Sequence, residues 1–86
     1  MIFYHGTTKE GLNRIFSEGE LFGYRGENIG RCTYLTTDLE EAKCYGDVLL
    51  KVSYDPKEHP ELNNYVEGCW QFRVYEPINL KFIEVL

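Results

Sequence analysis

Basic clusters, long apolar runs and paired cysteines are all missing from this 86-residue chain, and each absence removes a class of function. Its nine Lys and Arg residues stand singly against fourteen Asp and Glu, giving a formal charge of −5. Binding a phosphate backbone depends on clustered Lys and Arg displacing condensed counterions, so a nucleic-acid partner is not expected. The same charge disfavours an anionic membrane surface, and no apolar segment approaches the roughly 20 residues that a spanning helix needs. Met1-Ile2-Phe3-Tyr4-His5 has neither the basic start nor the long apolar stretch of a signal peptide, so cytoplasmic residence is expected. Cys32, Cys44 and Cys69 are odd in number and lack CxxC spacing, which makes them reduced thiols expected in the interior. His5 and His59 are far apart with no clustered Cys or Asp, so no metal site is expected.

What the sequence does have is apolar material, 43% hydrophobic and 15% aromatic, spread along its whole length. That composition suits one globular domain over residues 1–86 with a core too small to waste any packing residue. Ile2 to His5 reads as a short buried strand ended by a turn at Gly6. Thr7 stands three residues before Glu10 in a capping-box pattern, and Leu12, Ile15 and Phe16 follow at helical spacing until Gly19, which predicts a helix over roughly residues 8–18. The segment from Gly19 to Arg31, with Gly23, Gly26 and Gly30, is expected to be loop.

Cys32 to Thr36 reads as a second strand. Asp38 and Glu41 start a short second helix carrying Leu39 and Ala42 and ending by Gly46. Val48 to Tyr54 is a third strand closed by Asp55-Pro56, a polar loop covers residues 55–68, and Cys69 to Val74 and Ile78 to Val85 complete the order β-α-β-α-β-β-β. This is an α+β arrangement of mixed or antiparallel strands with two short helices.

Two features carry chemistry. His5-Gly6-Thr7 lies at a strand end, where the imidazole is a candidate ligand group, although a lone His is more often a satisfied structural residue. Tyr34 on the second strand and Tyr45 at the end of the second helix are eleven positions apart, so a strand-turn-helix unit can bring both rings to one cavity wall. Paired rings hold a flat heterocycle with about 0.5–1.5 kcal/mol per contact beyond the buried area. Core packing is the alternative role for any one of the seven tyrosines.

Tyr4-His5-Gly6-Thr7, then Ile15-Phe16 with Gly19, then Thr33-Tyr34-Leu35-Thr36 with Ala42-Lys43-Cys44-Tyr45-Gly46, resembles the His-Gly-Ser/Thr and Tyr-x10-Tyr motifs of the diphtheria-toxin-like and poly(ADP-ribose) polymerase-like ADP-ribosyltransferases. Gln71-Phe72-Arg73-Val74-Tyr75-Glu76 followed by Asn79-Leu80-Lys81-Phe82 resembles that family's last catalytic strand and the run after it. The likeness extends over most of the chain, with the motifs in order. It implies a minimal ADP-ribosyltransferase-like fold that takes NAD as substrate, with no metal. It also implies that His5 holds a ribose hydroxyl, that Gly6 meets the nicotinamide carboxamide through its backbone, that Tyr34 and Tyr45 flank the nicotinamide ring, and that Thr7 and Ala42 belong to the NAD-binding set.

The family's catalytic glutamate corresponds to Gln71. Breaking the nicotinamide–ribose bond develops positive charge on the ribose, which a carboxylate stabilises and an amide does not. Gln71 keeps a carbonyl acceptor but cannot act as base or counter-ion. Ala42 stands where several relatives place a serine that bonds the carboxamide. Glu27, Glu67 and Glu76 are the carboxylates considered as substitutes, Glu76 being the weakest because five residues along a strand displace it about 16 Å and onto the opposite face.

The resemblance implies a mono-ADP-ribosyltransferase that releases nicotinamide and passes ADP-ribose to an acceptor, a protein being the first expectation, with Gln71, His5 and Tyr34 at the reacting centre. Two other readings stay open. One is a silent module that binds NAD or ADP-ribose as sensor, sponge or inhibitor, and the other is a small acidic effector acting by protein–protein contact.

Overall fold

The structure, a computed structural model, describes residues 1–23, 25, 26 and 30–86, the side chains of residues 25, 26 and 30 excepted. Glu27, one of the candidate carboxylates, lies outside the described residues. In chain order the elements are β1 (Ile2–Thr7), α1 (Lys9–Glu18), β2 (Glu20–Leu21), β3 (Arg25–Gly26), β4 (Gly30–Arg31), β5 (Thr33–Thr36), α2 (Leu39–Ala42), β6 (Val48–Ser53), β7 (Gln71–Val74), β8 (Ile78–Asn79) and β9 (Ile83–Val85). The fold is α+β, a five-stranded sheet in the order β7-β5-β1-β6-β9 with two short helices. Every pairing in that sheet is antiparallel. None of the described helices is long and apolar enough to cross a membrane.

Alternation along the strands makes the core. Phe3, Leu35, Leu50, Val52 and Val74 are completely buried, with Phe72 nearly so, and the register sets Phe3 against Val52 and Leu35 against Phe72. Residues directly opposite on neighbouring strands share a face, so these four side chains meet on one side of the sheet. Phe3, Phe72 and Tyr65 pack edge to face, with ring centroids 4.8 Å apart for Phe3–Phe72 and 5.2 Å for Tyr65–Phe72. Helix α1 adds Ile15 to this core and packs Leu12 against it.

Several expectations shift. The cap of α1 is Thr8, not Thr7: its hydroxyl accepts from the Gly11 N–H at 3.0 Å. Phe16 is 55% exposed, because the buried stripe of α1 runs through Leu12 and Ile15 and the next residue rotates about 100° away. Gly19 ends the helix as expected, in the left-handed conformation at φ 75° with its N–H on the Ile15 carbonyl. The segment after it is not all loop: β2 pairs with β8 and β3 with β4. The strand expected over Ile78–Val85 is broken, since the Asn79 side chain accepts from the Lys81 N–H at 3.0 Å and turns the chain through a 3₁₀ turn at Leu80–Phe82. That break lets β8 pair with β2 and β9 with β6. Strand β7 starts at Gln71 rather than Cys69, whose N–H is turned back onto the Val66 carbonyl.

Strand β1 also runs further than expected, through Gly6 to Thr7. Gly6 does not turn the chain there. Its role is close approach: a Cβ at Gly6 would collide with the Ala42 carbonyl oxygen of α2, so only glycine lets α2 lie against β1. Ala42 is fully buried at that contact. The thiols divide: Cys32 is buried, Cys69 partly so, and Cys44 exposed. Cys44 departs from the expected interior position because the chain beyond Ala42 tightens into a 3₁₀ turn over Lys43–Tyr45 with no buried residue.

Candidate functional site

A cavity of about 390 Å³ opens where β1 and β5 part. Strand β1 pairs with β6 along its whole length, Ile2 to Thr7, but with β5 through the single pair Tyr4↔Thr36. Gln71 lies opposite Thr36 on β7, so Tyr4, Thr36 and Gln71 form one row across three strands and line the cavity floor. Beyond that row, β1 carries His5, Gly6 and Thr7 past the gap into α1, while β5 turns away with Tyr34. The volume falls within the roughly 300–1,000 Å³ of small-molecule sites.

His5 bridges the gap. Its Nδ1 lies 2.9 Å from the Tyr34 carbonyl oxygen, and because a carbonyl only accepts, Nδ1 carries the proton. Nε2 is then the unprotonated nitrogen of a ring that lines the cavity. Burial lowers the His5 pKa below its ordinary 6.5, opposed in part by the bond to Tyr34. The imidazole is therefore neutral at pH 7, an acceptor able to take a ligand hydroxyl.

Tyr34 and Tyr45 both line the cavity and stay 42% and 50% exposed, so neither ring is consumed by the core. Thr36 serves the scaffold instead: its hydroxyl donates to the Trp70 carbonyl at 2.8 Å and accepts the Asp38 N–H at 3.1 Å. Those bonds join the start of β7 to the cap of α2, where the Asp38 carboxylate accepts the Glu40 N–H at 2.9 Å. Tyr45 is positioned through that helix and the 3₁₀ turn after it. The Gln71 amide donates to the Tyr45 hydroxyl at 3.3 Å, which leaves its carbonyl oxygen as the atom able to accept from a ligand.

His5, Gly6, Thr7, Tyr34, Ala42, Tyr45 and Gln71 thus all line one cavity. Comparison with protein-family models, curated proteins and solved structures gave no match. The geometry therefore stands on this chain's own residues.

The substitute carboxylates are elsewhere. Glu67 is exposed and paired with Lys57 at 3.4 Å. Glu76 accepts from the Tyr54 hydroxyl at 2.9 Å and lines a second cavity, of about 380 Å³, with Asp55, Glu58 and His59. None of the described residues lining the first cavity is acidic. Among the described residues no group of three or more His, Cys, Asp or Glu side chains could hold a metal ion.

Sequence reasoning missed part of the wall. Gly11, Arg14 and Ile15 bring one face of α1 to the cavity, and Leu21, Phe22 and Gly23 close the opposite side. The i, i+3, i+4 spacing of the first three was visible once α1 was predicted. The second wall was not, because it depends on long-range bonds. Gly23 donates to the Thr33 hydroxyl at 2.8 Å, and the Arg31 guanidinium donates to the Gly23 and Phe22 carbonyls while lying 4.4 Å from the Phe22 ring centroid.

Proposed function

We propose that this chain is a minimal ADP-ribosyltransferase-like domain that binds NAD or ADP-ribose in the cavity between β1 and β5 and does not transfer ADP-ribose efficiently. The observation that carries this reading is the convergence of His5, Tyr34, Tyr45 and Gln71 on one cavity whose described wall has no carboxylate. The tyrosine rings suit a flat nicotinamide. Neutral His5 and the Gln71 carbonyl are acceptors for ribose hydroxyls. Ala42 offers no hydroxyl to the carboxamide, so the backbone at Gly6 is left to hold it.

Transfer needs a negative group beside the ribose as its positive charge grows, and losing such a group typically costs orders of magnitude in rate. Glu67 and Glu76 do not line the cavity and are engaged by Lys57 and Tyr54. A transferring enzyme is the second reading, favoured by neutral His5, which places no positive charge beside the ribose and offers Nε2 as a base for an acceptor hydroxyl.

One pair of measurements separates the two. Calorimetric titration of the native chain with NAD is expected to give saturable binding, and chromatography no nicotinamide release above a His5→Ala control. Gln71→Glu is expected to gain release. Release by the native chain at the level of Gln71→Glu would establish the enzyme instead, and no binding at millimolar NAD or ADP-ribose would remove both readings.

A further inference from the structure

Two parts of the cavity wall are held in unlike ways. Tyr34 and Gln71 are carried by paired strands, and Tyr45 by the turn after the capped helix α2. Phe22 and Gly23 have no such frame: β2 ends at Leu21, paired with Ile78, and the two residues after it belong to no strand. From within, the Gly23 N–H donates to the Thr33 hydroxyl at 2.8 Å, and Thr33 is buried. The backbone lies so close there that a Cβ at Gly23 would collide with the Cys32 carbonyl oxygen. From outside, Arg31 donates through Nε to the Gly23 carbonyl at 3.1 Å and through Nη2 to the Phe22 carbonyl at 3.3 Å, with its guanidinium carbon 4.4 Å from the Phe22 ring centroid. The same Nη2 reaches the Glu18 carboxylate at the end of α1, at 3.4 Å. Arg31 itself does not line the cavity.

We propose that Arg31 is a positioning residue for this cavity, bracing Phe22 and Gly23 from outside so that the wall is already in place when a ligand enters. A wall fixed in advance spares the ligand the cost of ordering it, and affinity rises accordingly. The assignment deepens the NAD-binding reading and rests on it for the ligand, whereas the brace itself is a property of the free protein. A planar guanidinium can serve two carbonyls and a carboxylate while lying over a ring, a set of contacts that one ammonium cannot make at once. The Arg31 side chain is exposed and stands outside the core, so its replacement loosens the wall and leaves the sheet intact.

The test compares the native chain with Arg31→Gln and Arg31→Lys by amide hydrogen exchange without ligand and by calorimetric titration with NAD and ADP-ribose. The reporter is the Gly23 amide, and the control is the set of amides in β6, which is paired on both sides. In Arg31→Gln, exchange at Gly23 is expected to quicken about tenfold with β6 unchanged, and NAD affinity to fall about three- to tenfold, with Arg31→Lys between the two. Unchanged exchange at Gly23 overturns the brace. Exchange quickened equally at Gly23 and in β6 makes Arg31 a residue of general stability and overturns the assignment too. Quickened exchange at Gly23 alone, with NAD bound equally well by native chain and variant, overturns the positioning role. Quickened exchange at Gly23 alone in a chain that binds neither NAD nor ADP-ribose keeps the brace and overturns the NAD reading.

Discussion

Two polar regions of this small domain use the same side-chain types to opposite ends. In the 54–76 region, Tyr54, Asn63 and Glu76 bond one another and the backbone. The Tyr54 hydroxyl donates to Glu76 at 2.9 Å and accepts from the Asn63 amide at 3.3 Å. That amide also reaches the Pro56 and His59 carbonyls at 3.0 and 2.8 Å, and its oxygen accepts the Tyr65 N–H at 2.9 Å. Burial, and next the bond to Glu76, push the Tyr54 pKa well above the ordinary phenol range, so the hydroxyl stays a donor. In the cavity, Tyr34, Tyr45 and Gln71 are exposed or half-buried, and the 3.3 Å bond between Gln71 and Tyr45 is a long one. Saturated bonding holds the long 55–68 connection onto the sheet. Unsaturated bonding leaves acceptors and ring faces for a ligand.

The comparison breaks most visibly at Asn63. Asn63→Ala is expected to destabilise the domain by about 2–3 kcal/mol in urea unfolding, because it strands the buried Pro56 carbonyl and the part-buried His59 carbonyl and Tyr65 N–H, while nicotinamide affinity of the folded fraction is unchanged. Gly6→Ala comes next, since it tests both regions at once. The added methyl meets the Ala42 carbonyl, which is expected to cost about 1–3 kcal/mol and, by pushing α2 away, to abolish binding as well. Tyr34→Ala and Tyr45→Ala sharpen the contrast from the other side. Each is expected to change stability by less than about 1 kcal/mol and to weaken nicotinamide about three- to tenfold by calorimetry.

The smallest effect concerns His5, and its sign follows from the lowered pKa. The unfolded chain takes up a proton at about 6.5 while the folded chain resists it to lower pH. The stability held above pH 6.5 is therefore lost as the pH falls through 6.5 toward the folded pKa. Chemical unfolding in that window is expected to show a slope that His5→Gln reduces.

Much of this arrangement was legible in the sequence, and the reasons differ by element. The core strands announced themselves by alternation, as with Phe72 and Val74, and α1 by its apolar spacing and Gly19. The polar cluster at Asn63 has only the composition of a loop, since nothing local reveals that its amide reaches Pro56, His59 and Tyr54 at once. At Gly6 the glycine itself is plain in the sequence but its purpose is not, because the carbonyl it accommodates lies 36 positions away at Ala42. The motif residues pointed to one site, but the wall from Leu21 to Gly23 depends on β2 pairing with β8 across more than fifty residues.

Backbone amide chemical shifts recorded while NAD is titrated into the native chain test the central claim most directly. The largest changes are expected at His5, Gly6, Thr7, Tyr34, Tyr45 and Gln71, with Tyr54, Asn63 and Glu76 unmoved. Shifts confined to the second group, or none at millimolar NAD, would contradict the account.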